Sequence, residues 1–102
     1  MLLIREVMYA KPGKVKDLVK MFLAMSKLGE KSGMPKMKVM TDFSAERYWT
    51  IVAEFEVADL KALEDMFAKP PSPEDAKEYE RVSQGYHDLV DHGKREIYKL
   101  EN

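Results

Sequence analysis

YWTIVAEFEV, residues 48–57, is the stretch whose reading decides the fold. Its odd positions, Trp49, Ile51, Ala53, Phe55 and Val57, are all apolar. Its even positions, Tyr48, Thr50, Val52, Glu54 and Glu56, are mixed. Successive side chains of a strand point to opposite faces, so this pattern sets one wholly apolar face against a core.

Upstream, MPKMKVMTDFSAE (34–46) alternates Met37, Val39, Thr41 and Phe43 with Lys36, Lys38, Met40 and Asp42, which predicts a half-buried strand and then a turn. LLIREVMYA (2–10) is a further strand, ended by KPG. Between them Val15, Leu18, Val19, Phe22 and Met25 recur at helical spacing, Met21 and Leu28 widen the stripe, and Gly29 and Gly33 punctuate its end. Downstream, Leu60, Leu63, Met66 and Phe67 share a helical face. KPPSP ends that piece, because proline disfavours αR in the residue before it and donates no hydrogen bond. Ser72 is an N-cap with Pro73 at the first helical position and Glu74 and Asp75 in the first turn. The stripe Tyr79, Val82, Tyr86, Leu89, Val90 predicts a helix running on to Gly93 as its C′ glycine, followed by a last strand in KREIYKLEN.

The order is β-α-β-β-α-β, with the second helix broken at Pro70–Pro73. This is the ferredoxin-like α+β pattern: a four-stranded antiparallel sheet with both helices on one face. A chain of 102 residues makes one domain, 1–102. Lys plus Arg (17) nearly balance Asp plus Glu (18), so no basic field for nucleic acid or anionic lipid exists. There is no cysteine, hence no disulfide, thiol nucleophile or thiolate metal site. No apolar run approaches a membrane span, and the MLLIRE start lacks the form of a signal peptide. A cytoplasmic location is the expectation.

Two helices cover one sheet face, yet the other is not cleanly polar. Tyr48, Thr50 and Val52 lie opposite the apolar face of their strand, and the first strand is apolar on both parities: Leu3 and Val7 against Leu2, Ile4 and Met8. A sheet apolar on both faces needs cover on both, and a short chain has no spare element. The expectation is a homodimer joined through the open sheet faces about a two-fold axis. The alternative is a monomer with an uncovered sheet.

The element order, the KPGK turn after the first strand, the tryptophan-bearing third strand and the REIY closing strand together resemble the dimeric α/β-barrel superfamily, nearest to its NIPSNAP-like and antibiotic-biosynthesis-monooxygenase-like members. The resemblance spans nearly the whole chain. It implies that two sheets close an eight-stranded barrel, with a small-molecule cavity between sheet and helices in each subunit. It fixes no reaction. Haem-degrading members use an asparagine, a tryptophan and a histidine, whereas the only asparagine here is Asn102, so no haem and no other cofactor is expected.

Candidate site residues follow. His87 and His92 stand four residues from Asp91 and Asp88. On a continuous helix the two imidazoles fall about 110 degrees to either side of the buried stripe, so they share no metal, and no metal site is expected. His92 reads as a cation at a helix C-terminus. His87 reads either as a boundary histidine held by Asp91 or as a general base at the cavity rim, with Asp91 setting its tautomer. Trp49, Tyr86, Phe22 and Tyr79, with Tyr48, read either as plain core or as the wall of a pocket for a small apolar or aromatic ligand. One of Arg5 and Glu6 faces inward, and alternation alone allows either; Arg5 reads as part of an ion-pair network or as a ligand contact. No P-loop, GxGxxG, HExxH or nucleophile elbow is present. Two functions follow: a homodimeric small-molecule-binding protein of the NIPSNAP-like kind without assigned catalysis, or a cofactor-independent oxygenase or isomerase acting on an aromatic or polycyclic substrate.

Overall fold

The computed structural model describes residues 1–102. The elements are β1 (Leu2–Ala10), α1 (Val15–Lys31), β2 (Lys38–Thr41), β3 (Thr50–Val57), α2 (Leu60–Ala68), α3 (Pro73–Val82), α4 (Tyr86–Leu89) and β4 (Val90–Lys99). The strands form one antiparallel sheet in the order β2-β3-β1-β4, the ferredoxin-like arrangement.

Register assigns the faces. Ile4 pairs with Phe55 and Ile97, and Met8 with Ile51 and Gly93. The parity Leu2, Ile4, Glu6, Met8, Ala10 therefore shares a face with Ile51, Ala53, Phe55 and Val57. That face meets the helices. Leu18, Met21 and Phe22 of α1 bury against Ala10, Ile51 and Ala53. Leu63 of α2 buries against Ile4, Phe55 and Val57. Met37 touches both clusters and joins them.

Caps set the helix starts. Asp59 Oδ1 accepts the Ala62 N–H at 2.8 Å, and Ser72 Oγ accepts the Asp75 N–H at 3.1 Å. Lys69, before Pro70, is extended at ψ 116°, which ends α2 as the double proline requires. The Ser32 hydroxyl donates to Asp75 Oδ2 at 3.3 Å and ties the start of α3 to the end of α1.

Three expectations are corrected. The helix from Pro73 does not run on to Gly93: it ends at Val82, Gly85 turns the chain in the left-handed region at φ 84°, one helical turn follows, and β4 begins at Val90. Tyr86, Leu89 and Val90 are apolar at a spacing that serves one turn plus a strand start as well as it serves a helix. Gly93 is thus no C′ glycine. It is a strand residue where a Cβ would meet Met8 Sδ and lie 2.8 Å from the Val7 carbonyl oxygen. Second, β3 starts at Thr50, not Tyr48, because Trp49 sits at φ 58° with its carbonyl accepting the Ala10 N–H at 2.9 Å. Third, β2 stops at Thr41, and Phe43 lies fully exposed in the loop beyond it.

Candidate functional site: a carboxylate cleft over β1 and β4

The helix-facing sides of the central strands β1 and β3 are apolar except at Glu6. Its side chain is only 16% exposed and is ion-paired with Arg95 Nε, its direct neighbour on β4. The Arg95 guanidinium also lies 4.8 Å from the ring centroid of Phe67, on the last turn of α2. This charge pair survives among apolar neighbours because each ion has a partner and Arg95 reaches solvent.

The helices cover this pair incompletely. α3 packs chiefly on α1, and the main helical cover of β4 is the one-turn α4. Beyond α4 the wall stays open: Phe67 is 51%, Tyr79 47% and Ile97 43% exposed. Tyr86 closes the inner end, its hydroxyl donating to Met8 Sδ at 3.2 Å and its ring edge-on to Phe22 at 6.4 Å. Burial, with smaller contributions from Glu6 and Tyr79, pushes the Tyr86 phenol above its ordinary pKa, and burial does the same for Tyr79. Both hydroxyls therefore keep their protons through the neutral range. The cleft thus combines a shielded carboxylate, a half-exposed guanidinium, two protonated phenols and an apolar wall.

The predicted site residues divide. Tyr86 and Tyr79 belong to this cleft. Phe22 is core beneath α1, where the sheet–helix layer is filled by side chains. Trp49 and Tyr48 stand together on the β2–β3 loop, ring centroids 6.1 Å apart, and Trp49 is 45% exposed, so neither lines the layer. Arg5 lies on the open face, with Nε 3.4 Å from Glu54 without a hydrogen bond and Nη1 3.9 Å from Glu96. His87 is exposed; its ring lies edge-on to Tyr86 at 5.3 Å, and its carbonyl accepts from Lys11. It does not pair with Asp91, since the helix that would bring them together ends at Leu89. Phe67 follows from its helical spacing as an aromatic between sheet and helices, whereas Arg95 was not singled out by sequence. The signal was available for Arg95, which shares the parity of Gly93 and Ile97 on the strand that pairs with β1.

Asp91 takes other partners. Tyr9 pairs with His92 and Ala10 with Val90, so Asp91 is an extra residue, a bulge. The bulge brings neighbouring side chains together: His92 Nδ1 lies 2.7 Å from Asp91 Oδ2, and His92 Nε2 lies 2.8 Å from Arg47 Nη1. Both contacts are satisfied when Nδ1–H donates and Nε2 accepts. Arg47 also lies 4.3 Å over the Tyr9 ring. His92 thus secures the β2–β3 loop, in place of the helix-end role expected for it. Nowhere do three metal-ligating side chains converge, and no helix is long and apolar enough to cross a membrane.

Comparison with solved structures was decisive for the architecture. A NIPSNAP-family protein from Agrobacterium tumefaciens superposes with a TM-score of 0.77 at 9% identity, covering 99% of this chain and 93% of that one. The fold is that of the NIPSNAP and antibiotic-biosynthesis-monooxygenase-like structures. A NIPSNAP-domain protein from Burkholderia xenovorans gives 0.69 at 15% identity, over 98% and 94% of the two chains. An antibiotic-biosynthesis-monooxygenase-like protein from Deinococcus radiodurans gives 0.69 at 13% identity, over 100% and 94%. No protein-family profile and no curated protein sequence matches the chain. The NIPSNAP-like and monooxygenase-like resemblance read from the sequence therefore holds for the fold.

Proposed function

We propose that this protein is a cytoplasmic, homodimeric small-molecule-binding protein of the NIPSNAP-like kind, holding an apolar or aromatic ligand in the cleft over β1 and β4. The observation that carries the reading is Glu6: a lone carboxylate in an apolar layer, beside an aromatic wall left half uncovered. An apolar side chain at that position would pack with less desolvation cost, so the charge is better accounted for by a ligand than by stability.

The dimer rests on the opposite face. Leu3, Val52, Met40 and Tyr98 share it with the Arg5–Glu54–Glu96 ladder around a buried Val7, and no helix of the chain covers them. A second copy would cover this patch, and the ladder carries both signs of charge, as a self-complementary surface requires.

Backbone NMR shifts against a panel of small aromatic molecules test the binding. Perturbations centred on Glu6, Phe67, Tyr79, Tyr86 and Arg95 are expected; a panel that moves none of these resonances overturns the reading. Sedimentation is expected to give twice the chain mass for the wild type and half of that for Val52→Lys.

A second reading is favoured by one observation, the Glu6 charge that, after burial, helps to keep the Tyr86 phenol protonated. That pair could serve as base and acid in an isomerase or cofactor-independent oxygenase, the roles for which His87 and Asp91 lack the geometry. Turnover lost in both Glu6→Gln and Tyr86→Phe, with ligand affinity kept, would distinguish it from binding alone.

A further inference from the structure

The cleft already holds a cation. The Arg95 guanidinium rests between the Glu6 carboxylate and the face of Phe67, a carboxylate and a ring quadrupole acting on one positive charge. Several features set this pair apart from an ordinary cross-strand ion pair. It lies on the helix-facing side of the sheet, where the other positions of β1 and β3 are apolar. The anion is shielded and the cation is not: the side chains are 16% and 48% exposed. Arg95 is therefore free to swing into water, while Glu6 is held on the central strand of the sheet. Phe67 and Tyr79 on α2 and α3 leave half their surface uncovered beside it.

From this asymmetry we infer that the ligand of the cleft is an organic cation, an amine, amidine or guanidine on an aromatic or apolar body, and that Arg95 is its resident stand-in. This inference rests on the binding reading above and names its ligand class. On entry the ligand's cationic head takes the Glu6 carboxylate and the Phe67 face, its body lies along Tyr79 and Ile97, and Arg95 turns out to solvent. A carboxylate ligand finds the opposite: it meets Glu6, and to use Arg95 it must break the existing pair and leave the shielded Glu6 without a partner. Rejection of anions is thus built into the floor of the site.

Three probes of one shape distinguish the outcomes: benzamidine, benzyl alcohol and benzoate, titrated into the 15N-labelled full chain at constant ionic strength. Benzamidine is expected to bind at least about tenfold more tightly than benzyl alcohol, the scale of a partly desolvated cation–π and ion-pair contact, with benzoate weakest. Removing the competitor in Arg95→Ala, or in Arg95→Met, which keeps the apolar stem, should tighten benzamidine about tenfold and leave benzyl alcohol unchanged. Glu6→Gln should erase the preference. Equal binding of benzamidine and benzyl alcohol at the cleft overturns the cation inference and leaves the binding reading standing. So does a preference for benzoate, which would make Arg95 the recognition group. Shifts at the cleft from none of the three probes overturn both.

Discussion

Replacing Gly93 by alanine separates the observed joint between α4 and β4 from the helix that periodicity alone suggests. Gly93 is not among the glycines with positive φ, so alanine meets no backbone penalty there. The cost is steric. A Cβ at Gly93 would meet the Met8 sulfur and lie 2.8 Å from the Val7 carbonyl oxygen, inside van der Waals contact. Met8 can move aside, but Val7 O belongs to the central strand and cannot. Overpacking of this kind costs about 1–3 kcal/mol. For a domain of this size each kcal/mol lowers Tm by roughly 4–8 °C. Urea unfolding of Gly93→Ala, Met8→Ala and the double variant provides the measurement. The cycle should be non-additive, with Met8→Ala recovering part of the loss through the sulfur contact and none of the carbonyl contact. A helix-ending glycine makes a different prediction: a left-handed backbone penalty that is strictly additive with Met8. A loss under about 0.5 kcal/mol, or an additive cycle, refutes the strand assignment of Gly93.

Gly85 behaves in the opposite way: a Cβ there has open space, but φ is 84°, so Gly85→Ala should cost about 1 kcal/mol in urea unfolding and Gly85→Asn less. Tyr79 and Tyr86 have phenols raised by burial in the folded state, so folding retains protons that the unfolded chain releases above its ordinary tyrosine pKa. Their contribution to stability is complete below about pH 10 and is lost as pH rises through the folded values, and Tyr86→Phe should flatten that alkaline decline in thermal melts. Phenolate absorbance should show the same two tyrosines, of five, ionising last. His87→Ala should change stability by less than about 0.5 kcal/mol, since the side chain is exposed and makes no hydrogen bond, and a larger loss would show that its edge-on contact with Tyr86 carries weight.

The strand cores and the starts of the helices were legible because each rests on local chemistry. Ile51, Ala53, Phe55 and Val57 alternate as a pleat demands, and Ser72 with Pro73 marks a start that the cap hydrogen bond then realises. The tail of the second helical region was not legible, because Tyr86, Leu89 and Val90 fit a helix and a turn-plus-strand equally, and only the pairing of Val90 with Ala10 decides between them. Trp49 misled for a related reason: its apolar character continues the alternation, while its backbone has already left the strand. The choice between Arg5 and Glu6 needed pairing too. Once Ile4 and Met8 face the helices, Glu6 must follow, and the cleft takes its charge from that parity. What no local rule supplies is the unequal cover of β4, which leaves Phe67 and Ile97 open beside the ion pair.

β1 is paired along its length with β3 on one side and β4 on the other, so Leu2 lies opposite both Val57 and Lys99. The strand synthesised first, at the centre of the sheet, therefore completes its pairing only with the strand synthesised last. On the ribosome β1 can join β3 while its second edge stays unfilled, and contacts this distant in sequence are slow to close. During that interval the unpaired edge of the strand from Leu2 to Ala10 is a template for any neighbouring nascent chain. The final strand, rich in Lys, Arg, Asp and Glu, closes that edge with a polar one, so a truncation that removes it should leave the edge open and promote aggregation.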